Sequence, residues 1–418
     1  MATIITKTIG QDGWQDFSGI QQATDAITTS DVANTADLVA ADKAVVFEIY
    51  AGVYDESVLI DEGLTCDATR NVTYKPAAGS EHGGSRDAGV RVTRFDLRDS
   101  FTTVKGIVFD TGNEQNAGSC IFDSCIVGPL PGAQTAYSLI MQGGGTATNK
   151  TTIKNCVFVG DNIGLWAFAN SASTLHYLVE NNTSTERFAR IKANIAAGTA
   201  SVELNNNLSI GANNYDLRQS GPGLVLVTGE GNIGTATTGN VFPSAIQADS
   251  QAWTATTDTT AASTGSQVIY EDTNYSLVNV SGNDAVGVCD GTVAPATDIN
   301  GEDRIRGAAS EYADPGAFTT DLITATKIID VNLGGGYDYS GFVDANNEES
   351  VVASSVFGST NLAQRNGAIV FNAKAGTYVG NISDDNGAVM ITDPIRTVTY
   401  QAAEGSHHGG DLSAGVIL

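Results

Sequence analysis

The sequence predicts an all-β fold: a right-handed parallel β-helix (solenoid) with an N-terminal cap, plus a partial second copy of the entry module. Three observations predict it. The composition favours strands and turns, with 47 glycines, 41% apolar residues and only 16% charged ones. A short alternating pattern recurs through the middle of the chain. The end of the chain repeats its beginning.

The composition permits a buried core, and turn-forming Gly, Asn and Asp are spread evenly instead of gathered in one linker. Forty-seven acids against 21 bases give a formal charge of −26. Such an excess repels nucleic acid and anionic membrane surfaces, so neither is an expected partner. The five cysteines, Cys66, Cys120, Cys125, Cys156 and Cys289, form no CxxC pair, which indicates neither a zinc site nor a disulfide framework. No apolar run reaches the about 18 residues of a membrane span. The opening MATIITKTIG lacks a basic stretch followed by an apolar run. The expectation is a chain made in a cytoplasm that leaves by assembly into a particle and lysis.

The repeat reads Val104–Phe109, Phe122–Val127, Ile153–Phe158, Val179–Ser184 and Leu204–Ser209, with steps of 18, 31, 26 and 25 residues. Such a period signals a solenoid, and the alternation within each unit signals short strands. The third position is Gly106, Ser124, Asn155, Asn181 and Asn206. Stacked about 4.8 Å apart, Asn155, Asn181 and Asn206 are expected to form a buried amide ladder. Cys125 and Cys156 follow at the fourth position and are read as core.

The duplication is direct. Val72–Val92 aligns without gaps to Val398–Leu418, and twelve of the 21 positions are identical. Upstream, Ala51–Tyr54 matches Ala375–Tyr378, Asp16–Gly19 matches Asp338–Gly341, and Thr6-Lys7 matches Thr326-Lys327. The domain reading is residues 1–40 for an N-terminal strand and cap helix, 41–321 for the β-helix, and 322–418 for the partial second module. In the entry module a strand holds Ile4 to Thr6. Phe17, Ile20, Thr24 and Ile27 then mark one face of a helix, capped by Ser18 or Asp16. Strands follow at Ala44–Tyr50, Ser57–Ile60 and Asn71–Tyr74. Residues 240–265, rich in Thr, Ala and Ser, read as an insertion or long loop. The second copy stops where the first is only entering its stack, so the expectation is that the chain continues or that another subunit covers the edge.

The first module ends on Thr297–Gly301, then Arg304–Gly307, then Asp314–Phe318. This resembles the closing motif of pectate-lyase-like parallel β-helix proteins, in which an Asn-Gly turn and an Arg precede an Asp-x-Gly-Ala-aromatic strand. The opening, with an aromatic-Ser before the cap helix and an Ala-Gly-x-Tyr strand, looks like the start of β-helix proteins of phage particles and environmental bacteria. The resemblance implies the fold. It leaves function open, because the fold carries lyases, hydrolases, adhesins and inert fibres alike.

Chemistry-bearing groups are sparse. A β-helix lyase needs a calcium-binding acid cluster and a base, and a glycosidase needs carboxylates facing one groove. The best acid loop holds Asp110, Asn113 and Glu114, the place for a Ca2+ if any cofactor is bound. Asp123 and Asp161 could stack near it, with Lys105 or Lys154 as a base. Trp166 with Phe168 reads first as interior packing, with a sugar platform as the alternative. His176 reads as a rung residue, and His82 and His408, each in a His-Gly-Gly turn, as structural; a metal at His407 and His408 is not favoured. No residue is assigned a catalytic or metal-ligating role. The functional expectation is a non-enzymatic structural or decorating surface protein of a virus particle, of the tailed-phage kind. Its partners would be capsid or tail subunits and further copies of itself, as a trimer by resemblance. The alternatives are a spike that binds or cleaves a host surface polysaccharide, and a bacterial surface adhesin or lyase.

Overall fold

The computed structural model describes residues 2–417 except 112, 116–117, 129–137, 161–162, 171, 186, 212–215, 236–241, 243–244, 249–252, 258–265, 272–274, 281–282, 308–311, 331, 333–337, 341–344, 346–348, 358, 378–391, 393–394, 405 and 407–415. Short strands wind into stacked parallel sheets, a parallel β-helix. On the first face, Phe47, Tyr74, Val104, Phe122, Ile153, Val179, Leu204 and Gly229 are successive Cα partners. The repeat register read from the sequence is therefore the pairing register. Two further faces follow in each turn, one built from two-residue strands such as Ile126–Val127 and Val157–Phe158, the other from longer ones such as Ile163–Ala169 and Arg187–Ala193.

The interior follows from the period-2 alternation. Side chains pointing inward stack on those of the next rung. Phe17, Phe47, Tyr74, Phe95, Phe109 and Phe122 form one aromatic column with centroid separations of 5.1–6.4 Å. Phe158, Phe188 and Phe242 continue the theme at 6.4 and 5.5 Å.

The cap helix spans Ile20–Asp25 and buries Ile20 and Thr24, with Phe17 and Ile27 beside it. Its cap is not Ser18 or Asp16. Glu56, on the strand Gly52–Ile60, accepts from the free N–H groups of Ile20 and Gln21, at 3.2 and 2.8 Å. Asp16 instead accepts from the Thr8 N–H and hydroxyl. A carboxylate far along the chain serves the helix N-terminus better here because the solenoid brings it alongside.

One boundary moves. Strand Thr3–Ile9 pairs with Lys43–Ile49, so the stack begins at residue 3. Ile233-Gly234 pairs with Leu208-Ser209, and Asn232 in turn bridges Gln247 in parallel. Of residues 240–265, the described ones include Phe242 and Ile246, which join the core of the stack, the buried Trp253, and Thr254–Thr256, which pairs with Gln267–Ile269; 240–241, 243–244, 249–252 and 258–265 lie outside the described residues. The segments 297–307 and 312–320 lie along a corner of the rungs. Their Ile299, Ala317 and Phe318 cover Val108, Ile126 and Val157.

After residue 322 the entry pattern recurs. Ile323–Ile329 pairs with Gly367–Ala373, which pairs with Val398–Ala402. Tyr339, Phe371 and Tyr400 stack as Phe17, Phe47 and Tyr74 do. Asp338 accepts from Ile328 N–H and pairs with Lys327, as Asp16 does with Thr8 and Lys7. Residues 407–415, with His407 and His408, lie outside the described set. His82 is buried in its turn, with Nε2 2.8 Å from the Ser124 carbonyl and Nδ1 accepting from Gly84 N–H. Burial pushes its pKa down, so it serves as a neutral hydrogen-bonding hub.

The corner ladder differs from expectation by one residue. Gly106, Ser124, Asn155, Asn181 and Asn206 all take left-handed backbone, φ 52–63°. This explains the residue choice, since Gly and Asn tolerate that conformation best. Their side chains do not bond one another. The amide groups of Asn155, Asn181 and Asn206 donate outward to the carbonyls of Thr297, Asp314 and Asp290. The amide ladder is Asn182, Asn207 and Asn232, at the fourth position. Asn182 Nδ2 donates to Asn207 Oδ1 at 3.0 Å, and Asn207 Nδ2 to Asn232 Oδ1 at 2.8 Å. Each also donates to the first-position carbonyl of the rung before: Ile153, Val179 and Leu204. Cys125 and Cys156 occupy the same column, and their thiols point to the equivalent carbonyls of Val104 and Phe122. They are buried, and burial raises the Cys156 pKa well above that of an ordinary thiol.

Candidate functional site

Two places on the surface could carry chemistry. The first is the outer row of the first face beside the closing segment. Lys105, Asp123, Lys154, Glu180, Asn205 and Glu230 are successive Cα partners, so they rise in steps of about 4.8 Å. Asp123 Oδ2 lies 3.7 Å from Lys105 and 3.8 Å from Lys154, and its Oδ1 accepts from the Ser124 hydroxyl. Glu203, one position along, takes Lys150 and Asn205 Nδ2. The Lys150 contact holds Glu203 below the ordinary carboxyl value, against the opposing effect of burial.

Glu180 is the perturbed group, and sequence reasoning missed it. Burial pushes its pKa up to about 7; Lys154 and Arg304 oppose this, and Glu203 and Asp123 add to it. The stability consequence has a definite sign. Unfolded, the group ionises near 4.5. Folded, its charged form is disfavoured, so the contribution is most favourable below that value and is lost as pH rises towards 7. Glu180→Gln removes the penalty. The variant is expected to gain about 1–3 kcal/mol at pH 8 and to show a flatter stability profile between pH 5 and 8. Urea unfolding at several pH values checks this, and an unchanged slope would refute it.

The second place is a groove of about 490 Å³ at another corner, where Ser119, Thr146, Ser173 and His176 line a floor that includes Phe101 and Leu175. His176 is held by backbone pairing to Gly145 in both directions. The groove lining contains no carboxylate among the described residues.

Of the acid-loop candidates read from the sequence, only the Asp110 side chain is described. Asp110 is committed to Arg91, 3.1 Å away, with its side chain 12% exposed. Asn113 and Glu114 belong to a strand whose backbone pairs with Leu139–Met141, but their side chains lie outside the described set. Asp161 lies outside it altogether. Trp166 projects from the face built by Ile163–Ala169. Phe168 stacks 4.8 Å from it, and the Arg190 guanidinium of the next rung lies 5.3 Å over the ring. The indole is thus engaged by its own neighbours. Asp123, Lys105 and Lys154 do converge, with the one carboxylate standing between the two lysines. No group of three or more His, Cys, Asp or Glu with metal-holding geometry occurs among the described residues, and no described helix is long and apolar enough to cross a membrane. The Glu180 row was detectable in principle: once the register is written out, the residue before each corner Asn or Ser is Asp123, Lys154, Glu180 and Asn205. Comparison with known proteins finds no matching family model, no matching curated protein and no matching solved structure.

Proposed function

We propose that this chain is a non-enzymatic structural surface protein, of the decorating or fibre kind that tailed-phage particles carry. One observation carries the non-enzymatic part. Glu180, the near-neutral carboxyl, stands in a row with Asp123 and Lys154, and the described lining of the groove includes no carboxylate. Glycoside hydrolysis of the usual kind needs two carboxyl groups facing one site. A closed aromatic and amide column, stapled by the closing segment and followed by a recurring entry pattern, makes a stiff rod suited to standing on a larger assembly. The particle assignment rests on the resemblance of the opening segment. Its partners are capsid or tail subunits and further copies of the chain.

Purified protein incubated with acidic and neutral polysaccharides should release neither reducing ends nor unsaturated uronates. Release that disappears in Glu180→Gln or Asp110→Ala would overturn the proposal. The hydroxyl-lined groove favours one second reading, a spike that holds a host polysaccharide. Glycan binding by the parent protein, lost on His176→Ala, would establish it.

A further inference from the structure

The entry loop of the second module is buried where that of the first is open. The two loops are structurally equivalent. Asp42 and Asn366 both take left-handed backbone, φ 50° and 48°. Their carbonyls accept from Thr3 and Ile323 N–H, which open equivalent strands. Asp37 and Asn361 cap the turn alike, accepting from the N–H three residues on. Arg70 and Arg396 each reach the residue at the left-handed position. In the first module Ala40, Ala41 and Asp42 are exposed. In the second, Arg365, Asn366 and Arg396 are buried.

What buries the second loop is the end of the first module. Arg365 donates to the carbonyls of Asn283 and Val280 at 2.5 and 2.8 Å. Asn366 Nδ2 donates to the Thr320 carbonyl. From the other side, Asn279 Nδ2 reaches the carbonyls of Arg365 and Asn366. Gly287 has φ +67°, and a Cβ there would sit 2.0 Å from the Gln364 carbonyl, so only glycine lets the two backbones approach. The contact is polar and directional, built from side-chain donors meeting backbone carbonyls.

We propose that the loop Asn361–Asn366 is a docking key and that its partner is the socket formed by Asn279, Val280, Asn283 and Thr320 at the end of a preceding module. Arg365 and Asn366 are the specificity-determining positions. The first module, with Ala41 and Asp42 there, lacks the donors, so it cannot occupy such a socket. The pair of residues thereby fixes which module follows a closing segment and holds the second stack rigidly on the first.

The test uses the full chain and limited subtilisin digestion, with fragments identified by mass. Asn279→Ala and Arg365→Ala should each speed cleavage between residues 319 and 323 at least tenfold, while the unfolding transition of the first stack stays unchanged. Arg70→Ala, at the equivalent position to Arg396, should leave cleavage at the parental rate. Arg365 also bonds the Phe357 carbonyl within its own module, so Asn279→Ala carries the decision. If Asn279→Ala cleaves at the parental rate, or if it lowers the first transition as well, the proposal fails.

Discussion

Replacing Asp314 by Asn is expected to destabilise the protein by about 3–5 kcal/mol, because it leaves a buried arginine uncompensated. Asp314, Arg304 and Arg306 are all essentially inaccessible. Asp314 Oδ1 accepts from Arg306 and from Gly287 N–H, and Oδ2 accepts from the Thr320 N–H and hydroxyl at 2.8 and 2.9 Å. Burial alone would push the carboxyl up, but Arg306 and the hydrogen bonds outweigh it and hold the group below its ordinary value. A depressed carboxyl contributes stability that is present above the ordinary pKa and lost as pH falls through the folded one. Asp314→Asn should therefore also flatten the acid limb of the stability profile. Arg304 binds the same segment to the stack, donating to the carbonyls of Asp314, Gly316 and Ala317 and to Asn155 Oδ1. Denaturant unfolding measures the loss, and a change under 1 kcal/mol would show that the pair is not what closes the corner. The double change Asp314→Leu with Arg306→Met should recover part of the loss, since an apolar pair leaves no charge behind.

Asn207→Leu is expected to cost about 2–5 kcal/mol. The side chain is fully buried and sits in the middle of the ladder. It donates to the Val179 carbonyl and to Asn232 Oδ1, and its own oxygen accepts from Asn182 N–H and Nδ2. Leucine leaves the Asn182 N–H and the Val179 carbonyl without these partners, and each buried orphan costs about 1–3 kcal/mol. Asn181→Leu acts by another route. It loses one bond, to the Asp314 carbonyl, and forces a γ-branched side chain into left-handed backbone, a cost of about 1–2 kcal/mol. The two variants also report differently: the first weakens the rungs, while the second loosens the closing segment. If Asn207→Leu stays within 1 kcal/mol of the parent, the ladder is not a source of stability.

The register was legible because a solenoid writes its geometry into the chain. Val104, Phe122, Ile153, Val179 and Leu204 repeat at rung spacing, and stacked strands must place equivalent residues above one another. The ladder was displaced by one residue for a local reason. In the run Asn205-Asn206-Asn207, composition does not tell which asparagine supplies the left-handed bend and which turns inward to the carbonyl of the rung before. The cap of the first helix was misassigned because Glu56 lies 36 residues beyond Ile20 and no local pattern links them. The partner of Asp110 was not legible either: Arg91 is brought alongside by pairing between Val90–Val92 and Ile107–Phe109.

By itself the sequence determined the parallel β-helix, the pairing register, and the burial of Cys125 and Cys156. All three follow from periodicity and local backbone preference, which act between residues whose spacing the chain states openly. Tertiary structure alone decided the near-neutral pKa of Glu180, the separation of the acid row from the groove, the course of residues 297–307 and 312–320 along the Asn corner, and the seat of Arg365 against Val280 and Asn283. Each of these depends on burial and on carbonyls presented by segments tens to more than a hundred residues away, and no spacing in the chain encodes such distances.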